Sequence, residues 1–282
     1  MSSPQNRPRG RPKAFHDKTA QNTVQSLDRA MGLLHVLSES GGMTLSELAN
    51  RSGQSPATVY RVLQTLAAHR MVETESEQIW QIGAGAFQIG SAFLRRTKVV
   101  ERARLPMEDL MRATAETANL GIEQRDEVVF LNQIETHQTI RAFFPPGTRG
   151  PMHASGIGKA LLAFYSPSRL ERIITAQGLS GFTPQTLTCP EALRADLARI
   201  RARGFAIDDQ ERTIGMRCVA APVFNSHGEP IAGISVSGPA FRIGVDQALA
   251  LGPTVRETAD RVTKVTGGVV PNTQTIPPQT LR

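Results

Sequence analysis

Residues 44–69 read TLSELANRSGQSPATVYRVLQTLAAH, and this stretch decides the fold of the first part of the chain. Thr44 and Glu47 have the spacing of a capping box, which predicts a short helix over residues 45–50. Gly53 suits the left-handed conformation of a tight turn. Ser55-Pro56 then supplies an N-cap followed by proline, which predicts a longer helix to about residue 69. A short helix, a tight turn and a longer helix are typical of a helix-turn-helix.

The flanking residues extend this unit on both sides. An apolar face at helical spacing predicts a first helix over residues 24–40, and its members are Val24, Leu27, Met31, Leu34 and Leu37. Two short strands, 71–74 and 78–82, are predicted around a turn at 75–77. The sequence therefore predicts a winged helix-turn-helix over residues 23–83. A three-helix packing unit without a role in DNA binding would show the same local signals.

A helix-turn-helix places the beginning of its second helix in the major groove of DNA. The predicted DNA contacts on that helix are its N-cap and its exposed positions: Ser55, Ala57, Thr58, Tyr60, Arg61 and Gln64. Arg61 is the predicted base reader, because its guanidinium matches the edge of guanine. Ser55 and the amides behind it could hold a phosphate. The alternative for Arg61 is an ordinary solvated surface charge.

A basic arm, predicted to be disordered, precedes this unit over residues 1–22. The first 23 residues hold five basic side chains and one acidic side chain, in a chain whose net charge is +7. Within it, Pro8-Arg9-Gly10-Arg11-Pro12 resembles an AT-hook, in which Arg9 and Arg11 would enter a narrow minor groove. The alternative is a tail that only aids solubility.

Composition bounds the remaining possibilities. A chain of 282 residues with 40% hydrophobic and 20% charged residues suggests about two globular domains. The N-terminus lacks the apolar segment of a signal peptide, and no apolar run approaches the roughly 18 residues of a membrane span, so a cytoplasmic protein is expected. The two cysteines, Cys189 and Cys218, lie too far apart for a CxxC metal motif.

The second half of the sequence alternates between helical and strand patterns and predicts an α+β domain around one sheet, over residues 99–268. A linker helix over residues 84–98 precedes it, and a disordered tail over residues 269–282 follows. The predicted helices are 99–119, 156–164, 167–176, 190–203 and 245–266. The predicted strands are 120–125, 128–134, 139–144, 205–207, 218–224 and 231–237.

These stretches together resemble the IclR family of bacterial transcription regulators. The resemblance runs from about residue 22 to residue 268 and includes QSLDRAMGLLHVL, WQIGAGAFQIG, PMHASGIGKALLAF, RGFAIDDQERTIGMRCVAAPVF and SVSGP. It implies a winged helix-turn-helix, a linker helix and a C-terminal effector domain similar to the GAF fold. It also implies a homo-dimer or homo-tetramer that binds a palindromic double-stranded operator and responds to a small molecule.

The segment His153–Lys159 predicts a helix start, with Ser155 as N-cap and free amides behind it that could bind a small anion. A plain helix start packed on a strand is the alternative. The resemblance is closest to members that sense glyoxylate or related acids. It implies an effector site formed by Gly156, Ile157, Asp208, Cys218, Ser235 and Ser237.

Two of these residues have independent chemical arguments. Ser235 and Ser237 stand two apart on a predicted strand and therefore face the same side. Asp208 could accept hydrogen bonds from the geminal hydroxyls of hydrated glyoxylate, whereas a buried carboxylate facing an acid without such donors would be costly. Where the glyoxylate sensors have alanine, this chain has Ile157, which favours a small ligand if it points inward. Plain core packing is the alternative for Cys218.

We find no HExxH, P-loop, GxGxxG or GxSxG pattern, and Asp208, Asp209 and Glu211 lack further metal ligands at loop spacing. No catalytic site, metal site or cofactor is therefore predicted. The sequence indicates an effector-controlled DNA-binding regulator of a small-acid operon, of the glyoxylate or glycolate type. A small-molecule enzyme or sensor without DNA binding remains the alternative.

Overall fold

The computed structural model describes residues 23–74, 78–96 and 98–271. The chain divides into two compact units, with the boundary between Phe93 and Leu94. The predicted arm with Arg9 and Arg11, the turn at 75–77 and the tail from residue 272 onward lie outside the described residues. Among the helices described, none is both long and apolar enough to cross a lipid bilayer.

The first unit is a winged helix-turn-helix. Its helices are α1 (Gln25–Ser38), α2 (Leu45–Ser52), α3 (Pro56–Ala68) and the beginning of α4 (Ala84–Arg96). Strands β1 (Val72–Thr74) and β2 (Trp80–Ile82) pair antiparallel as the wing. The predicted capping box is present, since the Thr44 side chain accepts from the Glu47 amide and the Glu47 carboxylate accepts from the Thr44 amide. Gly53 ends α2 with a φ of 65°, as a tight turn requires.

The predicted helix is present as α1, and its apolar face is only partly buried. Leu34 and Leu37 are buried together with Leu33, but Val24, Leu27 and Met31 are each more than half exposed. The buried residues all belong to the second half of α1, so α2, α3 and the wing cover only that half. The apolar spacing identified the helix correctly but not which part of it the unit covers.

The second unit is an α+β domain around a six-stranded antiparallel sheet with the order β5-β4-β3-β8-β7-β6. The strands are β3 (Thr117–Gln124), β4 (Glu127–Ile134), β5 (Arg149–Pro151), β6 (Ala206–Asp209), β7 (Met216–Phe224) and β8 (Pro230–Pro239). The helices are α5 (Lys98–Thr114), α6 (Gly156–Leu162), α7 (Pro167–Gln177), α8 (Pro190–Arg203) and α9 (Val245–Val265). The predicted fold class is confirmed.

Two cores cover the two faces of this sheet. Apolar side chains of α5 and α9, including Met107 and Val255, pack on one face against residues such as Val219 and Ile234. Side chains of α6, α7 and α8 pack on the other face with Val128 and Phe130. The face toward α6 carries the polar residues that the sequence singled out, and it positions the site described below.

Three predicted elements differ from the structure. The helix predicted over 99–119 ends at Thr114, and the chain turns at Ala115, whose φ is 56°, so that Asn119 belongs to β3. Residues 139–144 form no strand, because the backbone of Phe130 in β4 bonds instead to residues 147 and 148. The first residues of the predicted tail are attached to the domain, since the Val269 amide donates to the Asn225 carbonyl.

Candidate functional site

The outward face of α3 carries the residues predicted to contact DNA. Val59 and Leu63 point into the core of the first unit, so the opposite side of the helix faces solvent. On that side the predicted contacts Ala57, Tyr60, Arg61 and Gln64 are all exposed. In the part of the chain that the structure describes, no carboxylate lies within ion-pair distance of Arg61. Its guanidinium is therefore available to an external acceptor.

The start of α3 is ordered by its own side chains. The Ser55 hydroxyl oxygen accepts from the Thr58 amide at 3.3 Å and lies 2.9 Å from the Thr58 hydroxyl. Ser55 is exposed and Thr58 is half-buried. The two predicted contacts thus form one pair, in which Ser55 caps the helix.

In the second unit, all six residues predicted for the effector site line one cavity: Gly156, Ile157, Asp208, Cys218, Ser235 and Ser237. The volume of this cavity is about 40 Å³. A cavity needs roughly 10–15 Å³ to hold one ordered water, so this space exceeds that minimum by a small factor only. It is the scale of a ligand with a few heavy atoms.

The strand register explains why four of these residues meet. Asp208 in β6 pairs with Cys218 in β7, and Cys218 pairs with Ser237 in β8. Ser235 stands two residues from Ser237 on the same face of the sheet. The floor of the cavity is therefore a row across three neighbouring strands.

Helix α6 supplies the facing wall. Ser155 caps it, and its hydroxyl accepts from the Gly158 amide at 3.3 Å. The helix sits close to the preceding chain, since a Cβ on Gly158 would lie 2.1 Å from the Met152 carbonyl oxygen. In the hydrogen bonds found within the described ranges, the amides of Gly156 and Ile157 have no acceptor.

Ile157 does not project freely into the cavity. Its side chain packs on the sheet above Gly121 and Gly233, which pair with each other in β3 and β8. A Cβ on Gly233 would lie 2.8 Å from Ile157 Cγ2. The isoleucine therefore occupies a hollow that two glycines leave in the sheet, while part of it lines the cavity.

Asp208 is a buried carboxylate at the end of this floor. One of its oxygens accepts from the Glu211 amide at 2.8 Å. Burial raises the pKa of Asp208 to about 6, against the opposing effects of this hydrogen bond and of Lys159. Burial likewise raises the pKa of Cys218, so its thiol is neutral and acts as a small, weakly polar group.

Asn119, which was not among the predicted site residues, organises the two serines. Its Nδ2 donates to Ser237 Oγ at 3.1 Å and to Ser235 Oγ at 3.4 Å. Gln133 Nε2 donates to Asn119 Oδ1 at 3.0 Å and fixes the orientation of the amide. Residues 117–119 were predicted as the end of a helix, so the position of Asn119 on a strand was not predicted.

A buried lysine behind the cavity was also not predicted from the sequence. Lys159 in α6 is 1% exposed, and its Nζ lies 2.8 Å from Asp196 Oδ2 and 2.5 Å from Glu211 Oε1. A third bond runs from Nζ to the Ile207 carbonyl at 2.7 Å. These bonds connect α6 to α8 and to the loop after β6. They hold the chain on either side of Asp208.

The acidic run near Asp208 is engaged by basic groups of the protein. Glu211 pairs with Lys159, and Asp209 pairs with Arg217 at 2.5 Å. Within the ranges that the structure describes, no cluster of His, Cys, Asp and Glu has the arrangement of a metal site.

Aromatic and basic residues missing from the prediction complete the cavity. Phe130 and Phe144 stack with their ring centres 4.9 Å apart and line it together. Arg149 and Arg212 also line it. Phe144, the last residue of the segment predicted as a strand, therefore forms part of the cavity wall.

Comparison with known proteins agrees with both units. The model described as "IclR helix-turn-helix domain" matches residues 26–76, and "Bacterial transcriptional regulator IclR C-terminal" matches residues 91–264. The HTH-type transcriptional regulator BhcR of Paracoccus denitrificans is 52% identical over 254 residues, which cover 90% of this chain and 91% of that protein.

Two more distant proteins show the same likeness. The transcriptional repressor IclR of Escherichia coli is 38% identical, over 93% of this chain and 97% of its own. The crystal structure of the Thermotoga maritima IclR matches with a TM-score of 0.76 at 28% identity, over 86% of this chain and 99% of that chain. The likeness extends over both units.

Proposed function

The chain belongs to the IclR family of DNA-binding transcriptional regulators, and we propose that its effector is glyoxylate or a closely related small hydroxy- or hydrated oxo-acid. The effector binds in the 40 Å³ cavity of the second unit. The observation that carries this proposal is that the six residues implied by the family resemblance line one small cavity.

The donors in the cavity suit a carboxylate. The hydroxyl oxygens of Ser235 and Ser237 accept from Asn119, so their protons point away from it. The Ser237 hydroxyl also hydrogen-bonds to Cys218, and a ligand would compete with this weak acceptor for the proton. The free amides of Gly156 and Ile157 add two further donors. Together these groups present hydrogen-bond donors to one end of a small anion.

The acceptor in the cavity selects the other end of the ligand. Asp208 would face a bound anion at short range, and this arrangement costs several kcal/mol unless the ligand donates hydrogen bonds to it. The two geminal hydroxyls of hydrated glyoxylate are such donors. A small acid without hydroxyl groups satisfies the serines and amides but gives Asp208 no donor beyond the Glu211 amide.

The first unit binds the operator DNA. We assign the operator contacts to the exposed side of α3, with Arg61 reading a base and Ser55 and Thr58 near a phosphate. Arg9 and Arg11 add minor-groove contacts. A homo-dimer or homo-tetramer would present two such helices to a palindromic operator, and the effector would change its affinity for that DNA.

Titration calorimetry on the full chain tests the effector assignment. Glyoxylate is expected to bind with one molecule per subunit, and acetate, which lacks hydroxyl donors, is expected to bind much more weakly. In parallel, fluorescence anisotropy with the DNA upstream of the chain's own gene is expected to show binding that changes when glyoxylate is added. Absence of heat with glyoxylate would reject the effector but not the regulator.

A further inference from the structure

A second and larger cavity lies beside the effector cavity in the same unit. Its volume is about 300 Å³. It lies between the β4–β5 edge, the segment before α6, and α7 with the loop that follows it. Cavities of roughly 300–1,000 Å³ are the usual size of small-molecule sites. The function proposed above makes no use of this space.

Apolar side chains form one part of the lining of the larger cavity. They include Met152, Leu162, Ile173, Leu179 and Phe182. The nearby His153 ring is tilted against Phe182 with the ring centres 6.0 Å apart, and its Nε2 lies 3.0 Å from the Ser180 carbonyl. Burial lowers the pKa of His153, so the ring is neutral near pH 7 and adds no charge. This lining suits an apolar ligand body.

One cation at the cavity, Arg212, forms no ion pair within the described residues, although it interacts electrostatically with the more distant Asp208. Asp126 pairs with Arg172 at 3.1 Å, and Glu127 pairs with Arg149 at 2.7 Å. Arg212 also lines the cavity, and across the described ranges no carboxylate lies within ion-pair distance of it. Its guanidinium carbon lies 5.3 Å from the centre of the Phe182 ring, so a cation stands directly beside the apolar lining.

The two cavities differ in what they can hold. They share a wall formed by Arg149, Gly150 and Arg212. The volume of the effector cavity is about 40 Å³, against about 300 Å³ for the larger cavity. A benzene ring with a substituent exceeds the smaller space but fits the larger cavity.

We propose that the larger cavity is a second ligand site, which takes a small carboxylate with an apolar body such as an aromatic ring. The ring packs against Leu179 and Phe182, and the carboxylate pairs with Arg212. The apolar lining sets the shape of the ligand, and the unpaired cation sets its charge.

Calorimetry with phenylacetate on the full chain, without DNA, tests this site. Phenylacetate is expected to bind once per subunit, and its neutral counterpart phenylacetamide is expected to bind about ten- to a hundredfold more weakly, because it cannot pair with the guanidinium. Arg212→Gln is expected to lower the phenylacetate affinity by a similar factor. Leu179→Trp, which fills the cavity, is expected to abolish binding.

The control is Ser237→Ala, which alters only the effector cavity and is expected to leave phenylacetate binding at the wild-type level. Thermal melts check that the variants fold, and Ile174→Phe replaces Leu179→Trp if that variant does not. The proposal is overturned by no binding at millimolar phenylacetate, by equal affinity for phenylacetamide, or by binding that Ser237→Ala removes and the filling variant does not. Glyoxylate plays no part in the experiment, so a wrong effector assignment does not alter its outcome.

Discussion

Asn119 donates from Nδ2 to the Ser237 hydroxyl oxygen at 3.1 Å, across the floor of the effector cavity. The same nitrogen lies 3.4 Å from Ser235 Oγ, and Gln133 holds the other end of the amide. A hydroxyl whose oxygen already accepts a bond directs its proton elsewhere. Asn119 thus makes the two serines donors toward the cavity, which is the polarity that an anionic ligand needs.

Replacing this amide by a carboxylate should reverse the polarity. In Asn119→Asp the serine protons would turn toward the new acceptor, and the added negative charge would repel the ligand. We expect glyoxylate affinity to fall about ten- to a hundredfold, since one or two charge-assisted hydrogen bonds are lost. Titration calorimetry measures the change.

The matched control is Asn132→Asp. Asn132 precedes Gln133 in β4 and is half-buried, but its side chain accepts from the Gln133 backbone amide and does not reach the serines. The affinity of the Asn132→Asp protein for glyoxylate should stay near that of the wild type. Equal losses in both variants would mean that Asn119 acts only through general charge or stability.

The packing of Ile157 above Gly233 gives a prediction about stability. A Cβ at position 233 would lie 2.8 Å from Ile157 Cγ2, so Gly233→Ala should destabilise the second unit by about 1–3 kcal/mol. Ile157→Ala removes the obstructing atoms. The double variant should therefore be more stable than the sum of the two single effects predicts, and urea unfolding of all four proteins measures this coupling.

Gly244→Ala serves as the control for that cycle, because a Cβ on Gly244 meets no atom within 4 Å. It should lower the unfolding free energy by about 1 kcal/mol, because alanine is a poorer N-cap than glycine, and this loss should not couple to Ile157→Ala. Strict additivity of the Ile157 and Gly233 changes would contradict the proposed contact.

The sequence predicted local features well, because they depend on neighbouring residues. The capping box of Thr44, the turn at Gly53 and the alternation of Ser235 and Ser237 are all of this kind. Asp208, Cys218 and Ser237 came from a family resemblance, and the strand register now explains their proximity.

The missed features depend on contacts between distant parts of the chain. Asn119 bonds to residues 116 and 118 positions away, and Lys159 reaches carboxylates 37 and 52 positions away. Residues 139–144 have strand-like composition, but the edge of β4 is occupied by residues 147–151. The sequence of one segment alone does not show which of two segments pairs with the edge of β4.

The exposed face of α3 leads to a prediction for DNA binding. Arg61→Ala should weaken operator binding by about 1–3 kcal/mol and relax the preference at one base pair, as expected for loss of a bidentate base contact. Fluorescence anisotropy with a set of singly substituted operators measures both effects. Arg125→Ala, which removes an exposed arginine in the second unit, is the control for loss of charge.

Glyoxylate should still bind to the Arg61→Ala protein as it does to the wild type, since the effector cavity is unchanged. If Arg61→Ala binds every operator as tightly as the wild type, α3 is not the reading helix.

The basic arm should contribute through phosphates and the minor groove. Deleting residues 1–20 removes Arg9 and Arg11 together with three other basic residues. The slope of log affinity against log salt should become shallower by about 0.9 for each phosphate contact that is lost. Anisotropy titrations between low and moderate salt measure the slope. A slope that truncation leaves unchanged would show that the arm takes no part in binding.

Asp208 should affect stability and binding in opposite directions. Burial raises its pKa from 3.8 to about 6. Above pH 6 the folded protein therefore carries an unfavourable charge, which costs up to about 3 kcal/mol and disappears as the pH falls toward 4. Asp208→Asn should thus raise the unfolding free energy most at pH 8 and little near pH 4.

The same variant should weaken glyoxylate binding about ten- to a hundredfold relative to acetate, because the ligand hydroxyls lose a charged acceptor. Urea unfolding at both pH values and calorimetry at pH 8 measure the two effects. A variant that is less stable at pH 8, or that binds both acids as the wild type does, would show that Asp208 is a structural residue and not the acceptor for the effector.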